Sequence, residues 1–363
     1  MSRFREHGRP GDARVDVIIA AHSPARPVAR AACSIADGNP EARAVVVCHN
    51  TSVESVAVTM SGDLAARVTF LELNDGIPSP SGPFNHGIRR SGAEFVSIMG
   101  SDDMLDRGAV ANWLAEADRW DADAVVTRLV RGDDRDLVRS PAVRLCRRGP
   151  LDIVRDRLPY RSAPLGLVRR DAVDTLGLAL TPGARNGGDL EFVSRLWAGG
   201  RVVYAGKGPG YVEMGDARDR VTHVRKPIAE ELSPVRSLLN SPWFQGQPSR
   251  VRRAIGVKLL RRNVIDAIVK RPRPGDWQGS DATDLADLAG RILRGAPGTW
   301  ELLSSREVRL LGAVHDSRAG ELPELAAAAK SYRHPGALLG PDLRSWFHPA
   351  GAARYAIAAA LLR

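Results

Sequence analysis

The residues best placed to do chemistry lie near position 100. Glu94-Phe95-Val96-Ser97-Ile98-Met99 is an apolar, β-branched run that ends in Gly100-Ser101-Asp102-Asp103. A buried strand that delivers two adjacent carboxylates to the edge of a sheet can hold a divalent cation. Mg2+ and Mn2+ take oxygen ligands, and a few carboxylates plus substrate phosphates complete the shell. The same residues have a plainer use: Ser101, Asp102 or Asp106 could cap the helix that begins at Ala109-Val110-Ala111-Asn112-Trp113-Leu114. A third acid, Asp189, follows the Gly-rich loop Pro182-Gly183-Ala184-Arg185-Asn186-Gly187-Gly188 and starts a helix, with Glu191 beside it. A carboxylate there can act as a base, or can simply favour the positive end of the helix dipole.

These acids need a scaffold, and the pattern around them supplies one. Residues 15–21, 43–48, 68–73 and 94–99 read as short buried strands, with 123–130, 165–168 and 202–204 following. Helical segments over 28–36, 82–92 and 109–120 fall between them, and within 164–180 the short strand is followed by a helix. Strands alternating with helices at this spacing predict βαβ units and a mostly parallel sheet flanked by helices. In such a sheet ligands bind beyond the carboxyl ends of the strands. His22, the pair His49-Asn50 and the pair Asp102-Asp103 each lie just past a strand end, so they are expected to converge on one crevice.

From about residue 228 the strand signals stop. Segments 249–270, 281–294, 300–314 and 321–331 read as helices, the first two separated by the breaker Arg271-Pro272-Arg273-Pro274-Gly275. The expected division is an α/β domain over 1–227 and a basic, mainly helical domain over 228–363. Charge agrees with it. Residues 1–223 carry 30 Lys/Arg against 29 Asp/Glu, and residues 224–363 carry 22 against 13. A basic region attracts polyanions such as anionic lipid or acidic glycan. Residues 250–273 hold nine Lys/Arg on a helix whose apolar stripe includes Val251, Ile255, Leu259, Val264 and Ile268. That stripe fits packing on the rest of the chain, and the charges fit peripheral contact with an anionic membrane or an acidic acceptor. Few aromatics interleave them, which argues against a nucleic-acid partner.

The cysteines, Cys33, Cys48 and Cys146, are odd in number and lack metal-ligand spacing. Reduced, cytoplasmic surroundings are expected. The charged start of the chain has no apolar core of a secretory signal, and no apolar run approaches the length of a membrane span.

Taken in order, these features resemble the family-2 inverting glycosyltransferases, which have the GT-A nucleotide-sugar fold; the resemblance covers the first 225 residues or so. Val17-Ile18-Ile19-Ala20-Ala21-His22 resembles the opening strand that supports the nucleotide base. Val45-Val46-Val47-Cys48-His49-Asn50-Thr51-Ser52 stands where the family has Asp-Asp-Gly-Ser, with His49 and Asn50 replacing the acids. Phe84-Asn85-His86-Gly87 resembles the Arg-Asn-x-Gly helix. Gly100-Ser101-Asp102-Asp103 resembles Asp-x-Asp-Asp, and Gly187-Gly188-Asp189-Leu190-Glu191 resembles the Glu-Asp-x-Glu helix start, with Gly188 for Glu.

The resemblance implies a donor site of Ala21, His22, His49, Asn50, Asn85 and Asp102. It implies Mn2+ or Mg2+ on Asp102 and Asp103, with Asp103 the main ligand and His223 a further one. It implies Asp189 as the general base. The implied partners are a nucleoside-diphosphate sugar and a glycan or lipid-linked acceptor. The departures at 49, 50, 100 and 188 leave a rival, a non-catalytic binding module of the same fold acting through its basic region. A nucleotidyltransferase on a related fold would need a Gly-rich, basic phosphate loop after the first strand, which His22-Ser23-Pro24-Ala25 does not supply.

Overall fold

The computed structural model describes residues 13–144, 147–216, 226–316, 318–331 and 334–361. The chain divides into two compact units. One comprises residues 1–138, 148–150 and 162–223; the other comprises 139–147, 151–161 and 224–363.

The first unit is built on a seven-stranded sheet. In chain order its strands and helices are β1 (Val15–Ala21), α1 (Val28–Ala36), β2 (Ala42–His49), α2 (Val53–Ala57), α3 (Gly62–Ala65), β3 (Thr69–Leu73), α4 (Ser81–Arg90) and β4 (Phe95–Met99). There follow β5 (Met104–Leu105), α5 (Ala109–Trp120), β6 (Ala124–Thr127), β7 (Leu129–Arg131), β8 (Asp136–Leu137), β9 (Gly166–Arg169), α6 (Arg170–Thr175), α7 (Leu190–Gly199), β10 (Val202–Ala205) and β11 (Tyr211–Glu213). The large sheet has the order β10-β6-β9-β4-β1-β2-β3. Only β9 runs antiparallel to its neighbours, β4 and β6.

Local sequence explains the central pieces. β1 is almost wholly buried, as a run of β-branched residues covered on both faces must be. Each fully buried Val or Ile there contributes about 1.5–3 kcal/mol. Pro27 pre-sets the entry to α1, which buries Val28, Ala31, Ala32 and Ile35 as one helical stripe. α4 lies directly on β1 because Gly87 has no side chain; a Cβ there would sit 2.4 Å from Ile18 Cγ2.

Two expectations need correction. The run 123–130 is not one strand. It breaks at Arg128 into β6, in the large sheet, and β7, in a second sheet of order β5-β11-β7-β8. A continuous apolar run carries no mark of a strand changing sheets. Nor is α5 capped by Ser101, Asp102 or Asp106 side chains. Its N-cap is Gly108 at φ +76°, with no side-chain cap bond, a left-handed conformation suited to glycine.

The second unit is helical: α8 (Ile228–Glu231), α9 (Ser233–Asn240), α10 (Pro242–Gln245), α11 (Ser249–Leu259), a π turn over Leu260–Val264, α12 (Ile265–Val269), α13 (Asp281–Gly295), α14 (Ser305–His315), α15 (Leu322–Lys330), α16 (Pro335–Leu338), α17 (Leu343–Phe347) and α18 (Ala352–Leu361). The expected helix 300–314 is a short 3-10 turn at Trp300–Leu302 followed by α14. Ser304 and Glu307 close a capping box that starts α14 afresh.

At the centre of this unit Arg261 is buried and spends its guanidinium on Glu307, Tyr160 Oη and the carbonyls of Leu302 and Ala350. Eight of the nine cations between 250 and 273 hydrogen-bond or ion-pair with groups within the unit: Arg250 with Asp152, Arg252 and Arg253 with the Gly295 and Pro297 carbonyls, Lys258 with Asn263, Arg261 with Glu307, Arg262 with Asp266, and Lys270 and Arg271 with Glu231. No helix among the described residues is long and apolar enough to cross a membrane.

Candidate functional site

The strand ends come to one level. Ala21 pairs with Cys48 and Ile19 with Met99, while His49 pairs with Leu73. The carboxyl ends of β1, β2, β3 and β4 therefore form a common edge, and the turns that leave it carry the candidate residues.

The turn after β4 is tightly held. Asp103 is buried; its Oδ2 accepts from Tyr211 Oη at 2.6 Å and its Oδ1 from the Met214 amide at 2.9 Å. Burial pushes its carboxyl up to about 6; the Tyr211 hydrogen bond opposes the shift and the Asp102 charge adds to it. Asp102 is also buried. Its Oδ1 accepts from Arg26 Nη2 at 2.7 Å, and Arg26 Nε donates to Ser101 Oγ at 2.9 Å. Arg30, one helical turn on, donates to the Asp102 carbonyl and forks onto Asp216 at 2.6 and 2.9 Å. At Gly100 a Cβ would lie 2.5 Å from Asp103 Oδ2 and 3.1 Å from Asp102 Oδ1. The space for a third acid is thus taken up by the two acids that follow.

The turns after β2 and β3 form a second cluster. His49 Nε2 lies 2.8 Å from Asp75 Oδ1, and Asn50 Nδ2 approaches the same ring nitrogen at 3.1 Å. Asn50, at φ +54°, accepts the Gly76 amide on its side-chain oxygen. Asp75 is held below the usual carboxyl range by the Ile77 amide and then by His49. Where the family pattern has two acids, this chain brings its acid from the β3 turn instead.

That cluster adjoins the start of α4. Asn85 is buried and exchanges two hydrogen bonds with Leu180, accepting its amide at 2.9 Å and donating to its carbonyl at 2.8 Å. Ser79 Oγ donates to the Ala184 carbonyl at 2.6 Å, and the Thr181 amide to the Gly188 carbonyl at 2.7 Å. These bonds tie the loop over 178–188 to α4 and so set where Asp189 emerges. Gly188 fits because a Cβ there would be 2.3 Å from Ser81 Oγ. Asp189 is half-buried at the N-cap of α7 and makes no cap bond with its side chain. Glu191 is engaged differently, in an i,i+4 ion pair with Arg195 at 2.7 Å.

Among the expected site residues, Ala21 is buried in the last position of β1 and His22 is exposed just beyond it. His49 and Asn50 meet each other and Asp75; Asp102 and Asp103 share one turn. Asn85 and Asp189 belong to α4 and to the loop tied to it. His223 lies outside the described residues. Among the described residues no group of three or more His, Cys, Asp or Glu is gathered as a metal cage. The sequence reading missed Arg26, Arg30, Asp75, Tyr211 and Asp216. Arg26 and Arg30 stand at i,i+4 just after the first strand, a detectable pattern, but one without meaning until Asp102 is known to face them.

The sheet order, the strand-end acid pair and the helical unit that follows define a GT-A-like fold. No protein-family model and no curated protein matches the chain. Solved structures do. TarS 1–349 of S. aureus in complex with UDP-GlcNAc superposes with a TM-score of 0.70 at 13% identity, covering 88% of this chain and 91% of that one. The same TarS segment in complex with UDP gives 0.64 at 14% identity, over 88% and 91%. The longer TarS structure gives 0.66 at 13% identity, over 87% of this chain and 55% of that one.

Proposed function

We propose that this chain is a metal-dependent, inverting glycosyltransferase of the family-2 kind. It would move a sugar from a nucleoside-diphosphate donor to a hydroxyl of a cell-envelope glycan or lipid-linked acceptor in the cytoplasm. The observation that carries this reading is the Asp102–Asp103 pair at the carboxyl edge of a GT-A-like sheet, level with the ends of β1 and β2. Structures of similar fold have been solved holding UDP-GlcNAc and UDP.

The strand end suits a hard cation. Its donors are carboxylate oxygens, and Asp102 already sits against a positive charge, the Arg26 guanidinium. Asp102 and Asp103, adjacent in one turn, with His223 as a further ligand, would hold Mn2+ or Mg2+. When bound, that ion would offset the charge that builds on the departing diphosphate. The chain's own groups do the rest. Ala21 and His22 would border the base, and His49 and Asn50, fixed by Asp75, would meet base or ribose. Asn85 positions the loop that carries Asp189. Asp189 would take the proton of the acceptor hydroxyl as that oxygen attacks the anomeric carbon from the face opposite the diphosphate, so the configuration inverts. The basic segment 250–273 has no part in this proposal, because eight of its nine cations already hold partners within the helical unit.

The test is thermal unfolding with UDP, GDP, ADP and CDP, each with and without Mn2+. A ligand of the native state at about 100 times its Kd adds about 2.7 kcal/mol, several degrees in Tm for a chain of this size. One nucleotide should shift Tm in this way, and more so with Mn2+. No shift with any of them overturns the reading.

A further inference from the structure

We propose that Arg26 is an exchangeable counter-cation of Asp102: its guanidinium holds the carboxylate until a divalent ion and a nucleoside diphosphate bind, and it then moves onto the diphosphate. This rests on the donor-binding reading above and adds an order of events to it.

Three observations carry it. The Arg26–Asp102 pair is close, at 2.7 Å, and both side chains are about nine-tenths buried, with exposures of 11% and 7%. A cation approaching Asp102 must therefore displace or share with a partner already in place. Asp103 offers no easy alternative, since each of its oxygens already accepts from a fixed donor, Tyr211 Oη and the Met214 amide. The neighbouring arginine, Arg30, meets the same turn at a different atom, the Asp102 carbonyl, and forks onto Asp216. Arg26 springs from the short connection between β1 and α1, and its guanidinium reaches Ser101 Oγ and the carboxylate itself, at Asp102 Oδ1. A guanidinium fork presents paired N–H donors that suit diphosphate oxygens as well as they suit a carboxylate. Exchange costs little when one acceptor replaces another of like charge.

The test compares wild type with Arg26→Ala and Arg26→Lys, each checked for folding by thermal melting. Mn2+ alone is titrated first, followed by calorimetry and by the loss of its free-ion paramagnetic resonance signal. Removing the competing cation should tighten Mn2+ binding about tenfold in Arg26→Ala, the scale of one charge-assisted hydrogen bond. Arg26→Lys keeps the charge without the fork and should fall between the two. The nucleoside diphosphate among UDP, GDP, ADP and CDP that stabilises wild type is then titrated at saturating Mn2+, where Arg26→Ala should bind it about tenfold more weakly. Mn2+ binding that is unchanged or weaker in folded Arg26→Ala overturns the exchange. Should Arg26→Ala fail to fold, Arg26→Lys with wild-type Mn2+ affinity overturns it equally. Because the first titration contains no nucleotide, it decides the competition at Asp102 separately. Failure of all four nucleoside diphosphates to bind wild type would overturn the move to the diphosphate and the transferase reading with it, while the Mn2+ titration still decides the competition at Asp102.

Discussion

Tyr211 bridges the two ends of the turn that carries the acid pair. Its hydroxyl donates to Asp103 Oδ2 at 2.6 Å and accepts the Gly100 amide at 3.0 Å. Tyr211 belongs to the small second sheet and is fully buried. One phenol thus fixes the conformation of residues 100–103 from a distance of more than a hundred residues along the chain.

Tyr211→Phe should therefore unfold more easily. It strands the Gly100 amide and takes a donor from Asp103, and each buried polar group left without its partner costs about 1–3 kcal/mol. Urea unfolding should show the midpoint shifted down with its slope unchanged. An unaltered midpoint would mean the bridge has no energetic weight.

Asp103 should leave a mark on the pH dependence of stability. In the unfolded chain an Asp carboxyl titrates at about 4. In the fold, burial, reinforced by Asp102, pushes it up to about 6, against the pull of the Tyr211 and Met214 bonds. Between those values the folded chain holds more proton than the unfolded one. This group's contribution to stability is therefore lost as pH rises from about 4 to 6, roughly 3 kcal/mol in all, and is constant above that. Asp103→Asn lacks the titration. The stability of wild type relative to Asp103→Asn should fall by that amount between pH 4 and 7, and a flat difference would contradict the assignment.

Asp189→Asn should keep donor affinity and lose transfer. Asn can still stand at the head of α7 but cannot accept a proton at neutral pH, so turnover should drop by roughly 10²–10⁴-fold. Glu191→Gln is the comparison, since Glu191 is spent on Arg195. Sugar transfer at saturating donor distinguishes them. Near-normal turnover in Asp189→Asn, or a larger loss in Glu191→Gln, would show that the base has been misassigned.

Asn85→Ala separates two roles for the α4 asparagine. If it acts through Leu180, hydrogen exchange across residues 178–188 should speed up and kcat should fall while nucleoside-diphosphate affinity holds. Lowered affinity with unchanged exchange would instead mean direct contact with the donor.

What the sequence revealed and what it hid have physical causes. β1 and α1 were legible to the residue because a continuous β-branched run and a proline-led helical stripe are local signals. The acid pair was legible because its strand ends abruptly. The partners of those acids were not. Arg26 is one arginine among many, and Tyr211 meets Asp103 only because β11 pairs with β5 and β7 in a sheet that no local pattern announces. The capping box at Ser304-x-x-Glu307 is readable in the letters and marks where the expected helix 300–314 divides. Gly100 and Gly188 look like losses from the family pattern, but in the fold they sit against Asp103 and Ser81, where a side chain has no space.

The helical unit is not a contiguous stretch, and that constrains how it can be made. Arg157 donates to the Pro349 carbonyl and Tyr160 accepts from Arg261, so some partners of residues 139–161 are made only much later in the chain. At about 5–20 residues per second of synthesis, the 192 residues between Arg157 and Pro349 correspond to roughly 10–40 s on the ribosome. During that interval Arg157 has its acceptors at Ala142 and Arg155 but lacks the Pro349 carbonyl. A fragment starting near residue 224 would meet the converse problem, with Arg261 deprived of Tyr160 and Arg250 of Asp152. Such a fragment should be expressed together with residues 139–161, or not at all.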